Sequence, residues 1–360
     1  MGIGDPTMPF TLEKGTMTRI RTAALPASLL AIASLVACGD DSAPLAPEVP
    51  STAEPLDSPM PSVESNSWSA SVPMPTKRRG LVAATVNGII YAIGGQNLLV
   101  SGDPDNPTKV NLTKVEAFNP SSGTWATKAP LPSRRAWPSG AAVINGKIYV
   151  TGGLNADGNP TKTLFVYNPA TNTWSTKAPL PVTSARGAAV AYNGKLWVVT
   201  PAGSSTRLHR YDPSTNTWTA RVTGPAGHHY PVAGVIDGKI YVAGTMNSDE
   251  SPSFATSMYD PATNTWSSRQ GMDIEPIGAG GQVFGKKLYV VGGSHQLNAI
   301  EHSAVQAYDP AIDYWPYPYP QPMSTSRTFL AVAVANGKLY ALGGWKLPEG
   351  VLATNEVYTP

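Results

Sequence analysis

An all-β fold of six repeated sheets is what this sequence predicts, on three observations. A two-residue turn between apolar runs recurs six times, a Tyr-Asp-Pro and Trp phrase follows it with few exceptions, and neighbouring copies lie about fifty residues apart. A period of that size corresponds to one four-stranded blade of a β-propeller. The turns read Asn87-Gly88, Asn145-Gly146, Asn193-Gly194, Asp237-Gly238, Phe284-Gly285-Lys286 and Asn336-Gly337. Asn-Gly and Asp-Gly favour a tight hairpin because both residues accept positive φ, which matches the twist of the flanking strands.

In chain order, residues 1–37 read as a secretory leader, with Met17 as an alternative start. Arg19 and Arg21 precede an apolar run from Ala23 to Val36, and Leu35-Val36-Ala37-Cys38 is followed at once by Gly39-Asp40-Asp41. That run is short for a spanning helix. Cys38, the sole cysteine, stands where lipidation and cleavage would leave the mature N-terminus, so this part resembles a bacterial lipoprotein. By the same resemblance, Gly39 after the cysteine implies the outer membrane or cell surface rather than the inner membrane. Residues 38–65 form a lipidated linker, rich in Pro, Ser, Ala and Glu, with too few large apolar residues to bury a core.

Residues 66–360 are the propeller. An isolated Asn66-Ser67-Trp68-Ser69-Ala70-Ser71 precedes the first copy and matches Asn172-Thr173-Trp174-Ser175, whereas the last copy stops at Val357-Tyr358-Thr359-Pro360 without its Trp. The two ends complete one another, so the N-terminal strand is expected to close the sixth blade. Within each copy the run before the turn is small, as in Gly187-Ala188-Ala189-Val190-Ala191, which suits an innermost strand where blades converge. The second strand carries an aromatic and usually ends in diglycine; Thr200-Pro201 and Gly244-Thr245 break that rule and predict altered strand exits in blades three and four. Tyr211-Asp212-Pro213, Tyr259-Asp260-Pro261 and Tyr308-Asp309-Pro310 lead at a fixed interval to Trp218, Trp266 and Trp315, aromatics expected in the core between blades.

An arginine ahead of the inner strand, Asn-Gly-Lys-Ile-Tyr-Val, diglycine, then Tyr-Asp-Pro and Trp together resemble the kelch repeat over residues 66 to 360. The resemblance implies a six-bladed kelch β-propeller. It implies little about activity, since one scaffold serves many functions.

The resemblance implies that loops entering the inner strands and loops after diglycine share one face, opposite the Asn-Gly turns, and it is the loops of that face that vary between copies. That variable face is the expected binding surface. Arg79, Arg135, Arg186 and Arg327 are expected as a broken ring of cations at the channel mouth, with His228, His229, Tyr230 and Glu275 at the corresponding places of blades four and five. Guanidiniums so placed suit a carboxylate of a sugar acid or acidic peptide. Trp137 and Trp345 offer stacking surfaces, and His295 lies in a loop of the same face.

His228 and His229, with His295 or His302, have the residue types of a metal site. Adjacent histidines in an extended loop point apart, however, so no metal or other cofactor is expected. The 26 basic residues nearly balance 24 acidic ones without a basic run, which argues against nucleic acid. No catalytic motif stands out. The leading expectation is therefore a monomeric, non-catalytic, lipid-anchored cell-envelope module that binds a glycan or protein and touches the membrane only through its anchor. One alternative is an extracytoplasmic sugar epimerase or mutarotase, because bacterial N-acetylneuraminate epimerase is similar in having six kelch blades, with Glu275 then moving a proton. The other is a structural subunit of an envelope complex.

Overall fold

The computed structural model describes residues 66–99, 108–226, 228–296 and 300–360. The leader, Cys38 and the linker fall outside the described residues. Residues Glu64–Pro360 form one compact unit. It is a six-bladed β-propeller, and every blade is an antiparallel sheet.

From the axis outwards, blade one is Val82–Val86, Ile89–Ile93, Val115–Asn119 and Thr124–Thr127; blade two is Ala141–Ile144, Lys147–Thr151, Leu164–Asn168 and Thr173–Lys177. Blade three is Ala188–Tyr192, Lys195–Ala202, Ser205–Asp212 and Thr217–Ala220, and blade four is Val232–Ile236, Lys239–Ala243, Thr256–Asp260 and Thr265–Arg269. Blade five has three strands, Gly280–Phe284, Lys287–Ser294 and Glu301–Tyr308. Blade six takes Ala331–Ala335, Lys338–Leu342 and Asn355–Thr359 from the C-terminus and its outer strand, Ser67–Ser71, from the N-terminus.

The predicted closure is therefore real. Trp68 lies opposite Tyr358 in the ladder, and the Tyr358 hydroxyl bonds Asn66 at 3.2 Å. In the ordinary blades this partner comes from the same repeat: Tyr167, Tyr211 and Tyr259 each donate at 2.7 Å to Asn172, Asn216 and Asn264. Each of those asparagines has positive φ. In blade one the tyrosine is Phe118 and the place of the asparagine is taken by Gly123, so donor and acceptor disappear together.

Two residues beyond each asparagine stands the tryptophan, whose indole N–H reaches the preceding blade. Trp125 donates to the carbonyl of Val72, Trp174 to Ala129, Trp218 to Ala178, Trp266 to Val222 and Trp315 to Gln270, at 2.8–3.1 Å. Trp68 closes the circuit by donating to Gln321 at 2.8 Å. The tyrosines next to them are buried between blades.

Diglycine has an equally local cause. A Cβ on Gly94 would stand 2.5 Å from the carbonyl oxygen of Arg135 in the next blade, and the Gly95 N–H donates to that same oxygen at 2.8 Å. Gly344 repeats the bond to Arg78 across the seam. Blade three, lacking diglycine, extends its middle strands into a long hairpin closed between Ala202 and Ser205. Blade four also exits differently, as expected: Gly244 and Thr245 lack the positive φ of the diglycine pairs, and the Thr245 N–H bonds His229 of its own blade at 3.2 Å rather than the next entry loop.

Blade five departs in a way the sequence reading passed over. Its Trp315 is in place and fully buried, but Pro316, Pro318, Pro320 and Pro322 follow, and residues without N–H groups do not form a ladder. The prolines also deny the edge of Glu301–Tyr308 to a foreign strand.

The third strand of each blade carries one side chain under the entry loop. In blade one Glu116 binds buried Arg78 at 2.6 Å, and in blade six Glu356 binds buried Arg327 at 2.6 Å. At the same register stand Phe165 beneath Arg135, His209, and Ser257, which bonds His228 at 3.0 Å. His209 is buried, and neither ring nitrogen has a hydrogen-bond partner among the described residues. Burial, aided by nearby Arg207, lowers its pKa.

Four outcomes are expected. Removing residues 64–75 should abolish cooperative thermal unfolding, whereas Trp68→Phe, which loses only the seam hydrogen bond, should cost about 1 kcal/mol in denaturant melts. Glu116→Ala, which strands a buried guanidinium, should cost about 3–5 kcal/mol by the same assay. Because folding depresses the His209 pKa, the unfolded chain binds the proton better. Stability is then complete above 6.5 and is lost as pH falls towards the lower folded value. His209→Phe, copying Phe165, should flatten the decline in melting temperature between about pH 7.5 and pH 5.

Candidate functional site

The entry loops share one register, anchored by a buried Met or Leu in five blades: Met74, Leu131, Leu180, Met272 and Met323. Counting from that anchor, the fourth residue is Arg78, Arg135, Ser184, Pro276 or Arg327, and the sixth is Gly80, Trp137, Arg186, Gly278 or Phe329. In blade four the same places hold His228 and Tyr230. Side chains at the fourth place turn into the blade, and residues at the sixth place surround the axis.

All six axial residues have positive φ, between 48° and 67°. That conformation turns five of the six backbone N–H groups towards the preceding blade. Trp137 donates to Gly80, Arg186 to Trp137, Tyr230 to Arg186, Phe329 to Gly278 and Gly80 to Phe329, at 2.6–3.1 Å. The aromatic members come from blades two, four and six and meet at the axis. Ring centres lie 5.8 Å apart for Trp137 and Tyr230, 4.8 Å for Trp137 and Phe329, and 5.5 Å for Tyr230 and Phe329. Gly80 and Gly278 leave no room for a side chain: a Cβ on Gly80 would lie 2.5 Å from the Trp137 indole, and one on Gly278 2.5 Å from the Phe329 ring.

The channel mouth is therefore plugged. Beneath the plug lies an axial cavity of ≈ 160 Å³, lined largely by small residues of the inner strands such as Ala83, Ala141, Ala189, Ala233 and Gly281.

The expected ring of four channel-facing arginines needs correction. Arg135 and Arg327 occupy the fourth place and are buried inside their blades, where Arg327 holds Glu356 and Arg135 bonds Thr163 and the Arg134 carbonyl. Arg78 belongs with them. Only Arg79 and Arg186 reach the axial cap. Arg79 stacks on Trp345 at 4.6 Å and stands 5.8 Å from the Trp137 ring centre, while Arg186 stands over Tyr230 at 5.4 Å.

Gln96 orients Arg79 by accepting from Nε and Nη2 at 3.2 and 3.0 Å. Gln96 is held in turn by Asn111 at 3.0 Å, and Asn111 donates to the Asn155 carbonyl of blade two at 2.6 Å. Burial pulls the Arg79 guanidinium down to about 10, so it stays charged at neutral pH. Burial likewise pushes the Tyr230 phenol up, against the opposing pull of Arg186 and Arg79. Arg79, Trp137, Arg186, Tyr230 and Trp345 are all partly exposed, so the cap presents two cations on an aromatic floor.

The remaining predicted residues lie elsewhere. The His228 ring is buried against Ser257, whereas His229 bonds the Gly203 carbonyl at 3.2 Å; these adjacent rings serve different blades. Glu275 and His295 form a separate pair in blade five, through a hydrogen bond between Oε2 and Nδ1. His302 joins them by bonding the Glu275 carbonyl through Nε2. Burial lowers the His302 pKa, and the bond to that carbonyl opposes the shift. Sequence reasoning missed Phe329 and Arg78. Aligning all six loops on the apolar anchor would have found both.

The profile of the KLHDC2/KLHL20/DRC7 Kelch-repeats domain matches residues 141–344, and that of the Kelch motif matches residues 77–132. Kelch repeat and BTB domain-containing protein 12 of Homo sapiens is 30% identical over 97 residues, 27% of this chain and 15% of that protein. An F-box/kelch-repeat protein of Arabidopsis thaliana is 34% identical over 88 residues, 24% of this chain and 21% of that protein. The matches thus span about a fifth or less of those relatives' own lengths. The solved structure of YjhT superposes with a TM-score of 0.63 at 17% identity, covering 81% of this chain and 100% of that one, which shows a shared fold. With a kelch-domain profile matched over more than half of its length and a six-bladed propeller, the chain belongs to the kelch-repeat family.

Proposed function

We propose that the protein is a non-catalytic binding module, anchored by a lipid at Cys38 to the bacterial cell envelope, that recognises an anion-bearing glycan or protein through its loop-rich face. One observation carries this reading: on that face Arg79 and Arg186 lie over Trp345 and Tyr230, both partly exposed, with Arg79 held by Gln96. Guanidinium edges above aromatic rings offer bidentate bonds to a carboxylate and a stacking surface to the group bearing it.

The ligand reading is tested on arrays of acidic glycans and peptides with the folded propeller. Arg79→Ala with Arg186→Ala should weaken binding at least tenfold, since a charged hydrogen bond contributes about 1.5–3 kcal/mol. Equal binding by the double variant would reject the cap as the site. The anchor is tested by fractionation and mass spectrometry. The N-terminal peptide should begin at a diacylglyceryl-modified Cys38, and Cys38→Ser should leave the membrane fraction.

A further inference from the structure

Blade five brings together three side chains that the axial cap does not use. Glu275 lies in its entry loop, His295 follows the second strand, and His302 opens the third. One residue fixes both imidazoles. The His302 Nε2 faces the Glu275 carbonyl, which can only accept, so that nitrogen carries the proton and Nδ1 keeps a bare lone pair. The His295 Nδ1 faces the Glu275 carboxylate in the same sense, so the neutral ring carries its bare lone pair at Nε2. The His302 Nδ1 is out of solvent and has no hydrogen-bond partner among the described residues. A buried nitrogen in that state has lost its water without gaining a partner.

We propose that His295 and His302 form a binding site for a divalent transition-metal ion, with Glu275 as the positioning residue behind both rings. The separation fits. Two imidazoles sharing a tetrahedral ion through bonds of about 2.0–2.1 Å have ring centres roughly 5 Å apart. Here the centres are 5.3 Å apart and the ring planes are tilted by 53°. A carboxylate on the far nitrogen of a ligating histidine is the usual device for fixing its tautomer and raising its basicity.

Imidazole donors favour Zn²⁺, Cu²⁺ or Ni²⁺ over Mg²⁺ and Ca²⁺. His295 is more than half exposed, so the remaining positions of the ion open to solvent and to an oxygen of a docked molecule. In their present rotamers no three His, Cys, Asp or Glu residues among the described ones enclose a cation. The site is accordingly a two-histidine one, completed by water.

The test is calorimetric titration of the folded, untagged chain with Zn²⁺, and with Mg²⁺ as the comparison ion. One Zn²⁺ per chain is expected, with loss of the site in His295→Gln and His302→Gln and a tenfold to hundredfold weaker site in Glu275→Gln. No saturable Zn²⁺ uptake, or uptake unchanged in the two histidine variants, overturns the proposal and leaves a plain hydrogen-bonded cluster. Should a variant fail to fold, ring-nitrogen resonances of the wild-type chain decide. Zn²⁺ must shift His295 Nε2 and His302 Nδ1, and the absence of such shifts also overturns it. Array binding through Arg79 and Arg186 is read separately, so either result stands without the other.

Discussion

The circuit of indole N–H groups, each donating to the blade before it, is the constraint on which the molecule depends. A propeller has no single core. Its apolar residues lie in separate layers between sheets, exemplified by the cluster of Ile93, Val115, Ile148 and Phe165 between blades one and two. Such layers hold neighbouring blades together by burial, which has no direction. The indole bonds add direction and fix how far each blade rotates relative to the last. Trp68 matters beyond its own bond because it makes the series a ring.

Much of this fold was legible in the sequence because each repeat encodes a local geometry: a positive-φ turn, a small inner strand, a proline-set turn. The closure was legible too, since the missing Trp of the last copy and the surplus Trp68 are complementary. Blade five was harder to read. Its Trp315 fits the pattern, and only the prolines behind it betray that no strand follows. The site was read less well, for a physical reason. Arg78 and Arg79 are adjacent, yet one is sealed against Glu116 and the other lies on Trp345. Chemistry alone does not separate two neighbouring guanidiniums. Their distance from the buried Met74 does, and that distance becomes meaningful only when all six loops are aligned.

The axial plug changes what the variable face can be. An open channel would offer a tube of backbone and small side chains. The closed one offers a floor of Trp137, Tyr230 and Phe329, rigid because left-handed backbone and hydrogen bonds between blades hold it from below. Cations resting on that floor lose little freedom when a ligand arrives, which lowers the entropic cost of binding. The long loops are then free to differ without disturbing the platform.

The seam strand also has a mechanical consequence. Ser67–Ser71 runs from the turn face towards the loop face, paired along its whole length with Asn355–Thr359. A pull applied at Asn66 in line with that strand loads the ladder bonds in shear, all at once, together with the indole clasp of Trp68 on Gln321. Tension at this end of the domain would therefore meet collective resistance instead of peeling the strand away one bond at a time.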